Sequence, residues 1–165
     1  MGLRGQTGVT LVELMTVVAI VTIAMALAIP SYTRWSAGAE LKEALLDLHS
    51  SLNLARMTAM NRNTTITVTV AVSSGRVRAT FTDPNSTSAA CLSDSRVCAM
   101  PTLVLPAKVT GVGGTTTFQF SSLGLRAGGG TTTQSIQLSN NQGATYEIQV
   151  TAAGKIRWCT SSPCA

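Results

Sequence analysis

The stretch GVTLVELMTVVAIVTIAMALAIPSYT, Gly8 to Thr33, decides how the rest of the chain is read. From Leu14 to Thr33 it holds twenty residues without a charge, bounded by Glu13 and Arg34. At about 1.5 Å per residue, a helix of that length reaches about 30 Å, the thickness of a hydrocarbon core. Ahead of it, Met1 to Gly8 is short and polar with one cation, Arg4. A secretory signal would close its apolar run with a small-residue cleavage site. No such site stands near Ile29-Pro30, and the residues from Ser36 to Arg62 continue a helical pattern. The run is then a membrane-anchoring helix with one carboxylate near its start. A carboxylate at that depth is costly in lipid and calls for a named partner.

Working outward, Pro30 is expected to kink the helix or loosen its hydrogen bonding, and Gly38 adds a second soft spot. Beyond them Leu41, Leu45, Leu48, Leu52, Ala55 and Ala59 recur at steps of four and three, with Glu43 and Asp47 off the stripe. That predicts an amphipathic second half of one long helix, ending near Asn61-Arg62-Asn63. The period then becomes two. Ile66, Val68, Val70 and Val72 alternate with polar or small residues. Ser73-Ser74-Gly75 turns the chain, and Val77, Ala79 and Phe81 alternate with Arg76, Arg78 and Thr80. Further strands are expected at 102–105, 116–120, 135–138, 145–151 and 155–159. Gly111–Gly114 and Gly128–Gly130 read as loops, and Asn140–Gly143 as a hairpin turn. One helix followed by antiparallel strands is an α+β architecture.

Composition agrees. The 165 residues are 45% hydrophobic and 12% charged, which excludes a disordered chain, and 14 Gly against 5 Pro without a period excludes collagen. Catalytic constellations are not apparent. His49, the one histidine, lies among leucines on the helix, where a surface or interface role fits better than a catalytic base. Gly111–Gly114 lacks the following Lys of a phosphate loop. Of the acids, Glu40, Glu43 and Asp47 belong to the helix, Asp83 and Asp94 to turns, and Glu147 is expected to face outward from a strand. We therefore expect no enzyme, no cofactor and no small-molecule substrate.

Gly8-Val9-Thr10-Leu11-Val12-Glu13-Leu14-Met15 resembles the class III signal of type IV pilins and pseudopilins. The resemblance implies that a prepilin peptidase cuts between Gly8 and Val9 and methylates the new N-terminus. It also implies that Glu13, fifth after the cut, pairs with the amine of a neighbouring subunit. Val9 departs from the usual Phe. The junction Leu54-Ala55-Arg56-Met57-Thr58-Ala59-Met60-Asn61-Arg62-Asn63 and the tail Gly154-Lys155-Ile156-Arg157-Trp158-Cys159 extend the likeness to the GspH/FimT group of minor pilins. Its fold, a long helix packed on two antiparallel sheets, divides the chain into a leader (1–8), a transmembrane and filament-core helix (9–35), an amphipathic second half (36–63) and a β-rich head (64–165). The implied partners are the peptidase, other major and minor pilins, and the inner membrane before assembly. The head then lies in the periplasm or outside the cell.

Four cysteines allow three pairings. The local one, Cys91–Cys98 with Cys159–Cys164, is the simplest, and an exported head favours disulfides over zinc. From Thr64 on, the cations are Arg76, Arg78, Arg96, Lys108, Arg126, Lys155 and Arg157, against Asp83, Asp94 and Glu147. Lys155 and Arg157 leave one face of a strand, as do Arg76 and Arg78, while Ile156 and Trp158 should point the other way. These cations could simply solvate the head. Some FimT-type minor pilins bind DNA during natural transformation through a C-terminal Gly-Arg-x-Arg stretch and nearby cations, which makes double-stranded DNA an implied partner here. The resemblance therefore implies that role for Lys155 and Arg157, with Arg76, Arg78 and Arg126 beside them. Two other readings stand next to it: a GspH-like pseudopilin of type II secretion, and a membrane-tethered periplasmic binding or hydrolytic domain.

Overall fold

A computed structural model describes residues 8–83, 100–128, 130–161 and 163–164. They form one helix and nine strands: α1 (Leu11–Asn61), β1 (Ile66–Ser73), β2 (Arg76–Thr82), β3 (Leu103–Val104), β4 (Val109–Gly114), β5 (Thr117–Phe120), β6 (Arg126–Ala127), β7 (Gln134–Asn140), β8 (Thr145–Val150) and β9 (Ile156–Cys159). Two compact units divide between Ser36 and Ala37.

In the first unit α1 runs unbroken through Pro30. Its large apolar side chains are all exposed, from Val9 (70%) to Trp35 (70%). The hydroxyls in this stretch are satisfied locally. Thr16 Oγ1 donates to the Glu13 carbonyl (2.9 Å), Thr22 Oγ1 to Val18 (2.7 Å) and Thr33 Oγ1 to Pro30 (3.0 Å). A threonine that donates to its own helix backbone can enter an apolar medium without stranding that donor.

In the second unit the continuation of α1 buries Ala37, Leu41, Ala44, Leu45, Leu48, Leu52, Ala55 and Ala59, the stripe read from the sequence with two alanines added. At about 2 kcal/mol for each fully buried leucine, the four leucines contribute on the order of 8 kcal/mol. A domain of this size is stable by about 5–15 kcal/mol in all, so this half of the helix is integral to the head. It ends in a Schellman motif. Asn63 adopts φ 49°, the Thr64 N–H donates to the Ala59 carbonyl (3.1 Å), and the Asn63 N–H donates to Met60 (3.3 Å).

The helix packs on two antiparallel sheets, one ordered β3-β2-β1-β5-β6 and the other β4-β7-β8-β9. The first supplies Ile66, Val68, Val70, Val77, Ala79, Phe118 and Phe120 to the core. The second supplies Val109, Ile136, Leu138, Ile148 and Val150. A two-residue turn with positive φ at Ser74 (52°) and Gly75 (72°) closes the β1–β2 hairpin, leaving Ser73 opposite Arg76. At the expected β7–β8 turn, the Asn140 Oδ1 accepts from the Gln142 and Ala144 N–H groups (3.0 and 2.9 Å). Its Nδ2 donates to the Ala37 carbonyl (3.2 Å), fastening this hairpin to the helix.

Several expectations need correction. Gly111–Gly114 is not a loop but most of β4, an outer strand paired with β7. β7 lies close: a Cβ on Gly114, at φ 76°, would fall 2.3 Å from the Ser135 carbonyl, whereas one on Gly111 would meet only the Ser139 Oγ, which can turn aside. Val72 is 52% exposed because the β1–β2 hairpin runs past the core at its tip. Glu147, expected to be solvated on the outer face, is only 3% exposed. Across the ladder stands Cys159, and the Gln149 Nε2 donates to its carboxylate at 3.1 Å.

Candidate assembly helix and nucleic-acid interface

Thr10 begins the helix. Its Oγ1 accepts the Glu13 N–H (3.2 Å) while its carbonyl takes the first helical bond from Leu14 (3.2 Å). Thr10-Leu11-Val12-Glu13 is thus the sequence of a capping box, with the acid in the first turn, where the helix dipole favours it. Gly8 has nothing within 4 Å of the position a Cβ would take. Packing within this chain therefore does not require a glycine there.

Of the tail cations, Arg157 sits on β9, the outermost strand of the second sheet, and Lys155 immediately precedes it. Lys155 and Arg157 are both exposed, flanking Ile156, which packs against the core. Trp158 stands opposite Ile148, on the other face from Arg157 as alternation suggests, yet stays 38% exposed, since among the described residues no further strand lies beside β9. The segment is anchored at both ends. On one side the Thr151 Oγ1 accepts the Lys155 N–H (3.1 Å). On the other a disulfide joins Cys159 to Cys164, with Cα atoms 5.8 Å apart. Cys91, Cys98 and Arg96 lie outside the described residues.

Arg126 does not join this face. It is 5% exposed, and its guanidinium donates to the carbonyls of Gly128 (2.6 Å), Gly130 (3.0 Å) and Thr132. A cation so enclosed ties down a glycine-rich loop and is out of reach of a phosphate. Arg76 and Arg78 lie on β2 in the other sheet. That strand runs beside β4, the edge opposite β9. Three strand spacings, about 14 Å, therefore lie between β4 and β9 alone. Arg76 is exposed and Arg78 half-buried, its Nε without a hydrogen-bond partner among the described residues. Lys108 is occupied by Glu40 at 2.6 Å. The five cations grouped from the sequence thus reduce to two pairs on different sides, plus one internal staple.

Sequence reasoning missed Arg56. From the exposed flank of α1 its Nε donates to the Gly124 carbonyl (2.7 Å), and another guanidinium nitrogen donates to Ala153 (3.5 Å). Gly154, φ 74°, packs into the same knot; a Cβ there would stand 2.1 Å from the Gly124 carbonyl. This joins the Leu54–Asn63 junction to the Gly154–Cys159 tail, two segments that looked separately motif-like. Only their contact in space explains the pairing. Arg62 similarly holds Asp83 at 3.1 Å.

Comparison with known proteins places this arrangement. Residues 44–154, more than half of the chain, match the family described as the type II transport protein GspH, and residues 3–29 match the prokaryotic N-terminal methylation motif. No curated protein matches. Among solved structures, the type IV minor pilin FimU of Pseudomonas aeruginosa is similar in fold in two crystal forms. One superposes with a TM-score of 0.55 at 18% identity, covering 76% of this chain and 92% of that one. The other gives 0.54 at 16%, covering 75% and 96%. With the methylation motif leading into the apolar helix and the two-sheet head behind it, the chain belongs to the GspH family, as a minor pilin or pseudopilin of GspH/FimT type.

Proposed function

We propose that this chain is a minor pilin of a type IV pilus, cut between Gly8 and Val9, anchored in the inner membrane and then assembled through α1. The observation that carries the proposal is the uniformly exposed apolar stretch of α1 with Glu13 as its one acid in the first turn. Cleavage would leave an amine at Val9, at the end of a helix where the dipole disfavours a cation. A carboxylate from a neighbouring chain answers that charge best in a poor dielectric, and Glu13 recurs once per subunit to provide it. Mature protein is expected to start at Val9 by mass spectrometry, and Glu13→Ala to be processed but left out of pili. An intact Met1, or normal incorporation of the variant, would overturn the proposal.

Family membership also supports a second reading, a pseudopilin of type II secretion, because the matched family is described by that role. A deletion strain separates the two: lost pili with intact secretion supports the first, and the reverse the second.

Lys155 and Arg157 extend the first reading to sequence-independent DNA binding. Both are exposed on a segment held at each end, and phosphate contact accepts either residue type. For a head beginning at Thr33, the logarithm of affinity for double-stranded DNA should fall against the logarithm of salt with a slope of about −2 for two phosphate contacts. Lys155→Ala/Arg157→Ala should abolish the binding, whereas Arg126→Lys should not. Equal binding by wild type and the double variant would exclude this edge.

A further inference from the structure

The outer edge of the second sheet offers more than charge. Gln149, Arg157, Trp158, Cys159 and Cys164 line one open hollow of about 430 Å³. Register places Arg157 opposite Gln149 and Trp158 opposite Ile148, so the two side chains leave different faces of the sheet. They nonetheless border the same space because β9 is the last strand. The walls are fixed. Gln149 is held by its bond to the buried Glu147 carboxylate (3.1 Å), and the Cys159–Cys164 bond closes the opposite side.

A part-exposed indole beside an exposed guanidinium is the pairing that takes up a nucleobase together with its phosphate. The ring stacks on the π face of the base while the cation meets the backbone. A continuous duplex cannot present that face, since each base is covered by its neighbours and shows only its edges in the grooves. An unpaired strand lying along β9 can set its phosphates against Lys155 and Arg157 and turn one base across the open edge onto Trp158. We infer that the hollow is a stacking site for an unpaired nucleobase, so that this edge holds single-stranded DNA more tightly than continuous duplex. The inference rests on the DNA reading of Lys155 and Arg157 proposed above, and adds the strandedness and the contact that sets it.

The test uses the full-length chain in nonionic detergent at low salt. Fluorescence anisotropy would be measured with oligothymidylate, with a closed circular duplex and with inorganic polyphosphate, a polyanion that has no bases. Wild type should favour oligothymidylate over both. Trp158→Ala should weaken oligothymidylate about tenfold, the usual size of a lost base–aromatic stack, and Trp158→Phe should recover most of that. Polyphosphate affinity should not change with either variant. Equal wild-type affinity for strand and duplex, or a parallel loss of polyphosphate binding in Trp158→Ala, would overturn the stacking site. Lys155→Ala/Arg157→Ala tells the two readings apart. If it keeps its oligothymidylate affinity while Trp158→Ala loses it, the cation reading fails and the stack stands.

Discussion

Arg126 carries the same charge as Arg157, and nothing in the adjacent sequence separates their fates. One is enclosed by three carbonyls of the 128–132 segment, the other stands in solvent. A guanidinium has five donors and no acceptor, so a glycine-rich loop with unpaired carbonyls is a natural place for it. Removing it takes a charged donor from those carbonyls and empties a buried site. Arg126→Ala should therefore cost about 3 kcal/mol of head stability, read as a lower urea midpoint. The folded fraction should keep full DNA affinity. A variant as stable as wild type would mean that the loop finds other donors. Glu147 teaches the same lesson on a strand. Alternation correctly puts it on the face away from Ile148, but cannot say that Cys159 lies across the ladder from it.

Elements with a strong period were legible; those set by close approach were not. The leucine stripe of α1, the β1–β2 hairpin and the β7–β8 turn follow from side-chain spacing and turn chemistry, which are local properties. β4 was hidden because its glycines look like loop residues until β7 is laid beside them. β6 was hidden because two residues carry no period. The turn between β8 and β9 allows this distinction to be measured. Gly154 and Gly75 have nearly the same φ, 74° and 72°, but only Gly154 has backbone where a Cβ would go. Gly75→Ala should cost about 1 kcal/mol, from the strained φ alone. Gly154→Ala should cost about 2 kcal/mol more as the Gly124 carbonyl and Arg56 are forced aside. Urea midpoints of the two variants give that difference directly. Equal losses would mean that the Arg56 knot yields freely, and that the tail is not positioned by it.

At the scale of the whole molecule, one helix serves two solvents. Among the described residues every buried apolar side chain lies at Ala37 or beyond, whereas from Val9 to Trp35 the large apolar residues are exposed. Such a surface is tolerable only if lipid or other subunits cover it. The charge pattern carried this division in the sequence: twenty uncharged residues, then a stripe broken regularly by acids and cations. The binding edge was less legible, since it depends on which strand is outermost, a matter of pairing between segments far apart in the chain. The division predicts independence. A chain beginning at Thr33 keeps the turn that bears Ala37 and should melt within about 2 °C of the full-length protein in detergent, while no longer needing detergent. In that same shortened chain Leu48→Ala, at the centre of the stripe, should cost about 3 kcal/mol and lower the melting temperature by about 10 °C. If instead truncation at Thr33 destabilised the head as much as Leu48→Ala does, residues before Thr33 would have to contribute to the core. The apolar half of the helix would then have its partner within the subunit, removing the physical reason to assemble into a filament.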